Sequence, residues 1–133
     1  MRILLDTHVW LWWNSEPNRL SPTTLEMIGD IENEVYLSAA SVLELAIKAR
    51  IGKLPLPEPV NEYVAKRIIK DEIRELPIRY THAAVVQGLP LTHRDPFDLL
   101  LIAQSQHENL TLLTADTKIL AYAGNMIDAR HSI

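Results

Sequence analysis

The sequence predicts an α/β sandwich with a mostly parallel central sheet, and three observations carry that expectation. Two short segments, residues 2–5 ("RILL") and 110–116 ("LTLLTAD"), carry aliphatic residues on adjacent positions, as in strands buried on both faces of a parallel sheet. Segments with helical periodicity and their own capping signals separate such runs, so strand and helix alternate along the chain. With 133 residues, 47% hydrophobic and 23% charged, the chain has an ordinary globular composition and the length of one domain. Residues 1–133 are therefore read as a single domain.

The first run ends at Asp6 and Thr7, and "HVWLWWNSEPN" follows as a short helix broken near Pro17. Ser21 suits an N-cap and Pro22 a first helical position, with Leu25, Ile28 and Ile31 at helical spacing. A strand is expected over 35–37. Ser41, with Glu44 three residues later, reads as a capping box opening a helix that Gly52 stops. The stretch 55–59 is a Pro-rich connector, and helical periodicity resumes at Val60 in "VNEYVAKRIIKDEI". A short strand over 76–78 and a helix capped by Thr81 come next. Asp95 as N-cap and Pro96 at the first position open a helix whose apolar residues run through Ala103. After "LTLLTAD", "TKILAYAG" reads as a helix and "NMIDAR" as a last strand.

Several function classes are weakened at once. No cysteine is present, which removes disulfides, thiolate metal sites and cysteine nucleophiles, and fits a reducing compartment. The N-terminal run meets Asp6 before reaching signal-peptide length, and no stretch approaches the ~20 apolar residues of a membrane span. A cytoplasmic protein is expected. The net charge of −4 weighs against nonspecific attraction to a polyanion, which depends on Lys and Arg neutralising phosphates.

The acids fall where a site would be. In open parallel sheets, ligands sit beyond the carboxyl ends of the strands. Asp6 ends the first strand and Asp116 ends "LTLLTA"; Glu44 and Asp98 are expected in the first turns of helices that start on the same edge. Two carboxylates ~4 Å apart repel by about 4 kcal/mol at an effective dielectric near 20, so something positive must compensate. With oxygen donors and no thiolate, a hard divalent cation, Mg²⁺ or Mn²⁺, is the natural choice. Such an ion activates water and stabilises charge developing on phosphorus, which indicates phosphodiester hydrolysis.

At this point the residues resemble a known family. "ILLDTHVWLWW", "SAASVLELAIKARIGKL", "HRDPFDLLLIAQS" and "LTLLTAD" are similar to the successive motifs of the PIN domain, specifically of VapC-type toxins of bacterial and archaeal toxin–antitoxin pairs. The similarity spans nearly the whole chain, in order. It implies a three-layer α/β/α sandwich and a metal-dependent endoribonuclease that hydrolyses RNA with a metal-activated water, often as a homodimer, held inactive by a cognate antitoxin. By motif, Asp6, Glu44, Asp98 and Asp116 are the family's four acids. Asp6 and Asp98 are implied as direct metal ligands, with Glu44 and Asp116 completing the shell or positioning water. Asp95 is the alternative to Asp98, which stands at the usual distance before "TAD". Thr7 and Thr114 are candidates for orienting ligands or water.

Each acid also has a structural role open to it. Asp6 and Asp95 suit helix caps, Glu44 the capping-box partner of Ser41, and Asp116 an Asx-turn. A capping carboxylate is stabilised by roughly 0.3–1 kcal/mol and keeps lone pairs for a metal, so the roles are compatible. Lys48 stands four residues after Glu44 and suits either a helix salt bridge or RNA contact. Arg50, Lys53, His93 and Arg94 are further RNA-contact candidates, the last two by position ahead of the Asp95 helix. Trp10, Trp12 and Trp13 read as core or subunit interface rather than a base-stacking platform. His8, His82, His107 and His131 show no zinc-ligand spacing.

Two other functions compete. An aspartyl-phosphate enzyme or receiver domain would need paired acids at the first strand, whereas Asp6 is followed by Thr7 and His8. A non-catalytic PIN-fold module binding RNA or protein, or a PIN nuclease outside toxin–antitoxin systems, is the remaining alternative.

Overall fold

Ile3 and Leu5 face one side of a central sheet and Leu4 the other, and all three are fully buried. A strand whose successive side chains are all excluded from water must be covered on both faces. That requirement fixes the layering in the computed structural model, which describes residues 1–90, 92–122 and 124–130. Ile3, Leu5, Val35, Leu37 and Leu113 pack under Val9, Trp10, Ile28, Leu45 and Tyr63 on one face. Leu4 and Leu112 pack with Leu101, Ile102, Ile119 and Tyr122 on the other. The result is a three-layer α/β/α sandwich.

The elements run β1 (Arg2–Leu5), α1 (Thr7–Ser15), α2 (Pro22–Gly29), β2 (Glu34–Ser38), α3 (Ala39–Arg50), α4 (Val60–Lys70), β3 (Arg74–Leu76), α5 (Tyr80–Val85), α6 (Pro96–Glu108), β4 (Thr111–Thr114), α7 (Thr117–Leu120) and β5 (Met126–Asp128). The sheet order is β3-β2-β1-β4-β5, and every pairing between neighbours is parallel. Because β1 has β2 on one side and β4 on the other, the chain reverses its winding direction between β1 and β4. That is the switch point at which open α/β sheets leave a crevice beyond their strand ends. Leu5 pairs with Leu113, which brings the residues just beyond them, Asp6 and Thr114, side by side at the mouth of the crevice.

Several local signals hold. Ser21 caps α2 by accepting the Thr24 N–H at 3.0 Å, and Asp95 caps α6 by accepting the Phe97 N–H at 2.9 Å. After α3, Gly52 takes φ +76°, a left-handed conformation that costs a residue without Cβ little.

Four expectations need correction. Ser41 does not open α3: β2 runs straight into the helix, and Ser38 is the N-cap, accepting the Ala40 N–H at 3.0 Å. Ser41 and Glu44 are therefore not a capping box, and Glu44 sits in the second turn rather than the first. The third strand is Arg74–Leu76 rather than 76–78, because its pairing with β2 ends at Ser38↔Leu76 and Pro77 has no N–H to extend the ladder. Thr81 does not cap α5; the helix starts at Tyr80, and the Arg79 N–H donates to Nδ1 of buried His82 at 2.9 Å. The helix over "TKILAYAG" stops at Leu120, where Tyr122 turns under to donate its hydroxyl to the Pro90 carbonyl at 2.7 Å.

Candidate active site

Asp6 is placed by two strands and a helix. Its own N–H donates to the Leu113 carbonyl at 2.9 Å, continuing the β1–β4 ladder past the end of β1. Its Oδ1 accepts the Thr7 N–H at 2.7 Å at the start of α1, and its Oδ2 accepts the Thr114 hydroxyl at 2.8 Å. The Thr7 hydroxyl donates onward to Ser41 Oγ at 2.9 Å, tying α1 to α3. The carboxyl is almost wholly excluded from water. Burial pushes its pKa up, against the pull of the Thr114 hydrogen bond.

Glu44 enters from α3 and is 4% exposed. Its Oε2 holds the Lys48 ammonium at 2.6 Å, the i, i+4 pair expected from the spacing. Its Oε1 is buried without any hydrogen-bond partner. An unpartnered buried carboxylate oxygen is costly, and native structures seldom keep one without a reason.

Asp98 lies in the first turn of α6, on the helix proper, while Asp95 caps that helix through Oδ1. A 2.5 Å hydrogen bond joins Asp98 Oδ2 to His93 Nε2, and the same nitrogen stands 3.6 Å from Asp116 Oδ2. Burial first, then the charges of Asp6 and Asp95, push the Asp98 carboxyl up to about 7, against the lowering effect of His93. Asp116 caps the four-residue α7, accepting the Lys118 N–H at 2.8 Å, and its own N–H donates to Thr114 Oγ1 at 3.0 Å.

All of these acids line one cavity of about 390 Å³, together with His8, Trp12, Lys48 and His93. Among the residues lining it are five carboxylates, Asp6, Glu44, Asp95, Asp98 and Asp116, against a single ammonium. Thr7 and Thr114 lie beneath it as hydrogen-bond partners rather than in its lining. Of the RNA-contact candidates, Lys48 and His93 reach the cavity; Arg50 and Arg94 are exposed and lie outside its lining, as does Lys53.

Three features escape the sequence reading. His93 sits among the acids instead of beside them. It stands two residues ahead of the Asp95 cap, and its ring bonds forward to Asp98 in the first turn of α6. Trp12 is half-buried and lines the cavity wall, whereas Trp10 is fully buried in the core. Tyr122, outside the four motifs, accepts the His93 N–H at 3.0 Å through its hydroxyl, and no local pattern announces this contact.

The donor set suits a hard divalent cation. His93, Asp98 and Asp116 each offer one ligand atom, all within 4.8 Å of one another, and Glu44, whose buried Oε1 has no hydrogen-bond partner, is among the residues lining the same cavity.

Residues 3–125 match the PIN domain family. The chain belongs to that family. Within it, this PIN domain is 31% identical over 121 residues to Ribonuclease VapC22 of Mycobacterium tuberculosis, covering 90% of this chain and 91% of the relative. It is 41% identical to Ribonuclease VapC16 of the same organism over 61 residues, 46% of this chain and 43% of that one. Among solved structures, VapBC2 from Rickettsia felis bound to a promoter DNA fragment contains a chain that superposes with a TM-score of 0.70 at 15% identity, covering 97% of this PIN domain and 99% of its own length. At that identity the likeness is one of fold. FitAcB from Neisseria gonorrhoeae superposes with a TM-score of 0.60 at 25% identity, covering 95% and 96% of the two chains.

Proposed function

We propose that this PIN domain is a VapC-type toxin, an endoribonuclease that hydrolyses RNA phosphodiester bonds with Mg²⁺ or Mn²⁺ and is neutralised by a cognate antitoxin. The observation that carries the metal requirement is the buried, unpartnered Oε1 of Glu44, a residue that lines the cavity together with four other carboxylates. A phosphodiester entering that cavity meets net negative charge unless a cation is already there. Asp6, Glu44, Asp98 and Asp116 are the residues that would hold the ion. When bound, it would supply Lewis acidity toward phosphate oxygens and lower the pKa of water.

The chain's own residues supply the rest. Thr114 and the start of α1 hold Asp6 in one rotamer, Lys48 fixes Glu44, and β4 and α7 fix Asp116. With the supporting atoms in secondary structure, the site is preorganised. The relatives named ribonucleases support RNA as the substrate.

An antitoxin partner is supported by the VapBC likeness and by a second, apolar groove of about 560 Å³ between α3 and α4, lined by Val42, Leu43, Ala46, Val64 and Ile68. Leu43 and Ile47 on α3 are exposed, the kind of surface a partner covers. A homodimer and a cytoplasmic setting complete the reading; among the described residues no helix is long and apolar enough to cross a membrane.

The test is cleavage of RNA with Mn²⁺, with chelator, and by Asp6→Asn. Chelation is expected to abolish cleavage, and Asp6→Asn to lower it by more than about 100-fold, since removing a direct ligand should cost at least what removing its supporting residues costs. Cleavage that survives both sinks the mechanism.

A further inference from the structure

We propose that His93 is itself a ligand in this site, giving the divalent ion a nitrogen donor beside the carboxylates of Asp98 and Asp116. The inference rests on the cation-dependent reading above and goes beyond it, because the expected donor set holds only oxygens.

The placement of the ring argues for it. The His93 side chain is 10% exposed, so it does not stand at the rim, where a cationic imidazole would meet the phosphate backbone of a substrate. Its Nε2 is 2.5 Å from Asp98 Oδ2 and 3.6 Å from Asp116 Oδ2. Neighbouring donors around a small ion at about 2.1 Å are about 3 Å apart in octahedral geometry, a value these two separations bracket. The buried Oε1 of Glu44, a residue lining the same cavity, has no hydrogen-bond partner, an independent sign that a positive group belongs beside it.

The backbone behind His93 is fixed as a ligand's should be. Its N–H donates to the Tyr122 hydroxyl at 3.0 Å, and that hydroxyl donates to the Pro90 carbonyl at 2.7 Å. Buried Tyr122 thus clamps the turn ahead of α6 from two sides, and Asp95 caps the helix that follows. The ring reaches the acids without any rearrangement of the chain.

One imidazole among carboxylates shifts the choice of metal. Oxygen-only sites suit Mg²⁺, whereas an added nitrogen favours first-row transition ions such as Mn²⁺, Co²⁺ and Zn²⁺. This site is therefore expected to prefer Mn²⁺ to Mg²⁺ because of His93. The competing role, in which the His93 N–H only orients Asp98, leaves the ion with oxygen donors alone.

Pulsed electron paramagnetic resonance on the Mn²⁺-loaded full chain separates the two. The expected result is a directly coordinated imidazole nitrogen, whose coupling changes when the protein is labelled with ¹⁵N-histidine. His93→Gln, which keeps an N–H for Asp98, should remove the coupling, weaken Mn²⁺ binding by at least about tenfold in calorimetric titration and lower Mn²⁺-over-Mg²⁺ preference. His8→Ala, at the other histidine of the cavity, should keep the coupling. No nitrogen coupling in the loaded wild type overturns the proposal, as does a coupling that survives His93→Gln. If that variant does not fold, by circular dichroism, the labelled wild type and His8→Ala decide alone. Where Mn²⁺ binds and RNA is cut without nitrogen coupling, only the His93 proposal fails; where Mn²⁺ does not bind at all, the cation-dependent reading falls with it.

Discussion

Thr114, at the end of β4, donates its hydroxyl to Asp6 Oδ2 at 2.8 Å across a sequence separation of 108. The same Oγ accepts the Asp116 N–H at 3.0 Å, so one buried hydroxyl holds two of the four motif acids. Thr114→Val keeps the shape and removes both bonds. It leaves the part-buried Asp116 N–H and one buried Asp6 oxygen without these partners, which should cost about 1–3 kcal/mol in chemical denaturation where water cannot replace them. Ribonuclease activity should fall while the fold persists. Unchanged stability and activity would show that the hydroxyl does not position the acids.

The raised Asp98 carboxyl makes stability depend on pH with a definite sign. In the unfolded chain it loses its proton near the ordinary value of 3.8, whereas in the fold it keeps the proton until about 7. Between those values the folded state binds more protons, so this group's contribution to stability is full below about pH 4 and is lost as pH rises through 7. Asp98→Asn has no such loss. In chelator, the variant should gain on the wild type between pH 5 and pH 8 when both are unfolded with urea, and parallel curves would refute the raised pKa.

Adding the ion reverses that slope, because only the carboxylate form of Asp98 binds a cation. At about a hundred times its Kd, Mn²⁺ should stabilise the wild type by about 2.7 kcal/mol, read as a rise in Tm that chelator removes. The rise should be larger at pH 8 than at pH 6. Glu44→Gln should blunt it at either pH, since the amide retains an oxygen but not the charge; an undiminished rise would remove Glu44 from the metal's surroundings.

The sheet and the acids were legible because their signals are local. Runs such as "RILL" and "LTLLT", short and bounded by polar residues, read as strands covered on both faces, and the strand-end rule then puts Asp6 and Asp116 on one edge. Pro22 and Pro96 mark helix starts by the same short-range logic. What was hidden depends on tertiary contact. Ser41 followed by Glu44 imitates a capping box, yet β2 passes into α3 at Ser38 with no loop between, and the imitation lies inside the helix. Likewise, nothing around Tyr122 shows that its hydroxyl will find the turn ahead of α6, some thirty residues earlier. The burial of the His93 ring beside Asp98 and Asp116 is likewise a tertiary arrangement and was equally out of reach.

Tyr122 therefore offers a test of how the fold reaches the site. It is 6% exposed, and its hydroxyl both accepts the His93 N–H and donates to the Pro90 carbonyl. Tyr122→Phe keeps the ring in the core cluster that holds Leu4, Leu101 and Ile119, so the sheet should stay intact. Two groups of the turn lose their partner, a cost of about 1–3 kcal/mol confined to that turn if water cannot reach them. Amide hydrogen exchange should rise at residues 92–95 and stay unchanged in β1 and β4, while Mn²⁺ affinity falls because the groups that follow the turn are no longer held in register. Exchange that rises across the whole sheet would mean the hydroxyl supports the fold as such, and unchanged exchange in the turn would mean it holds nothing there.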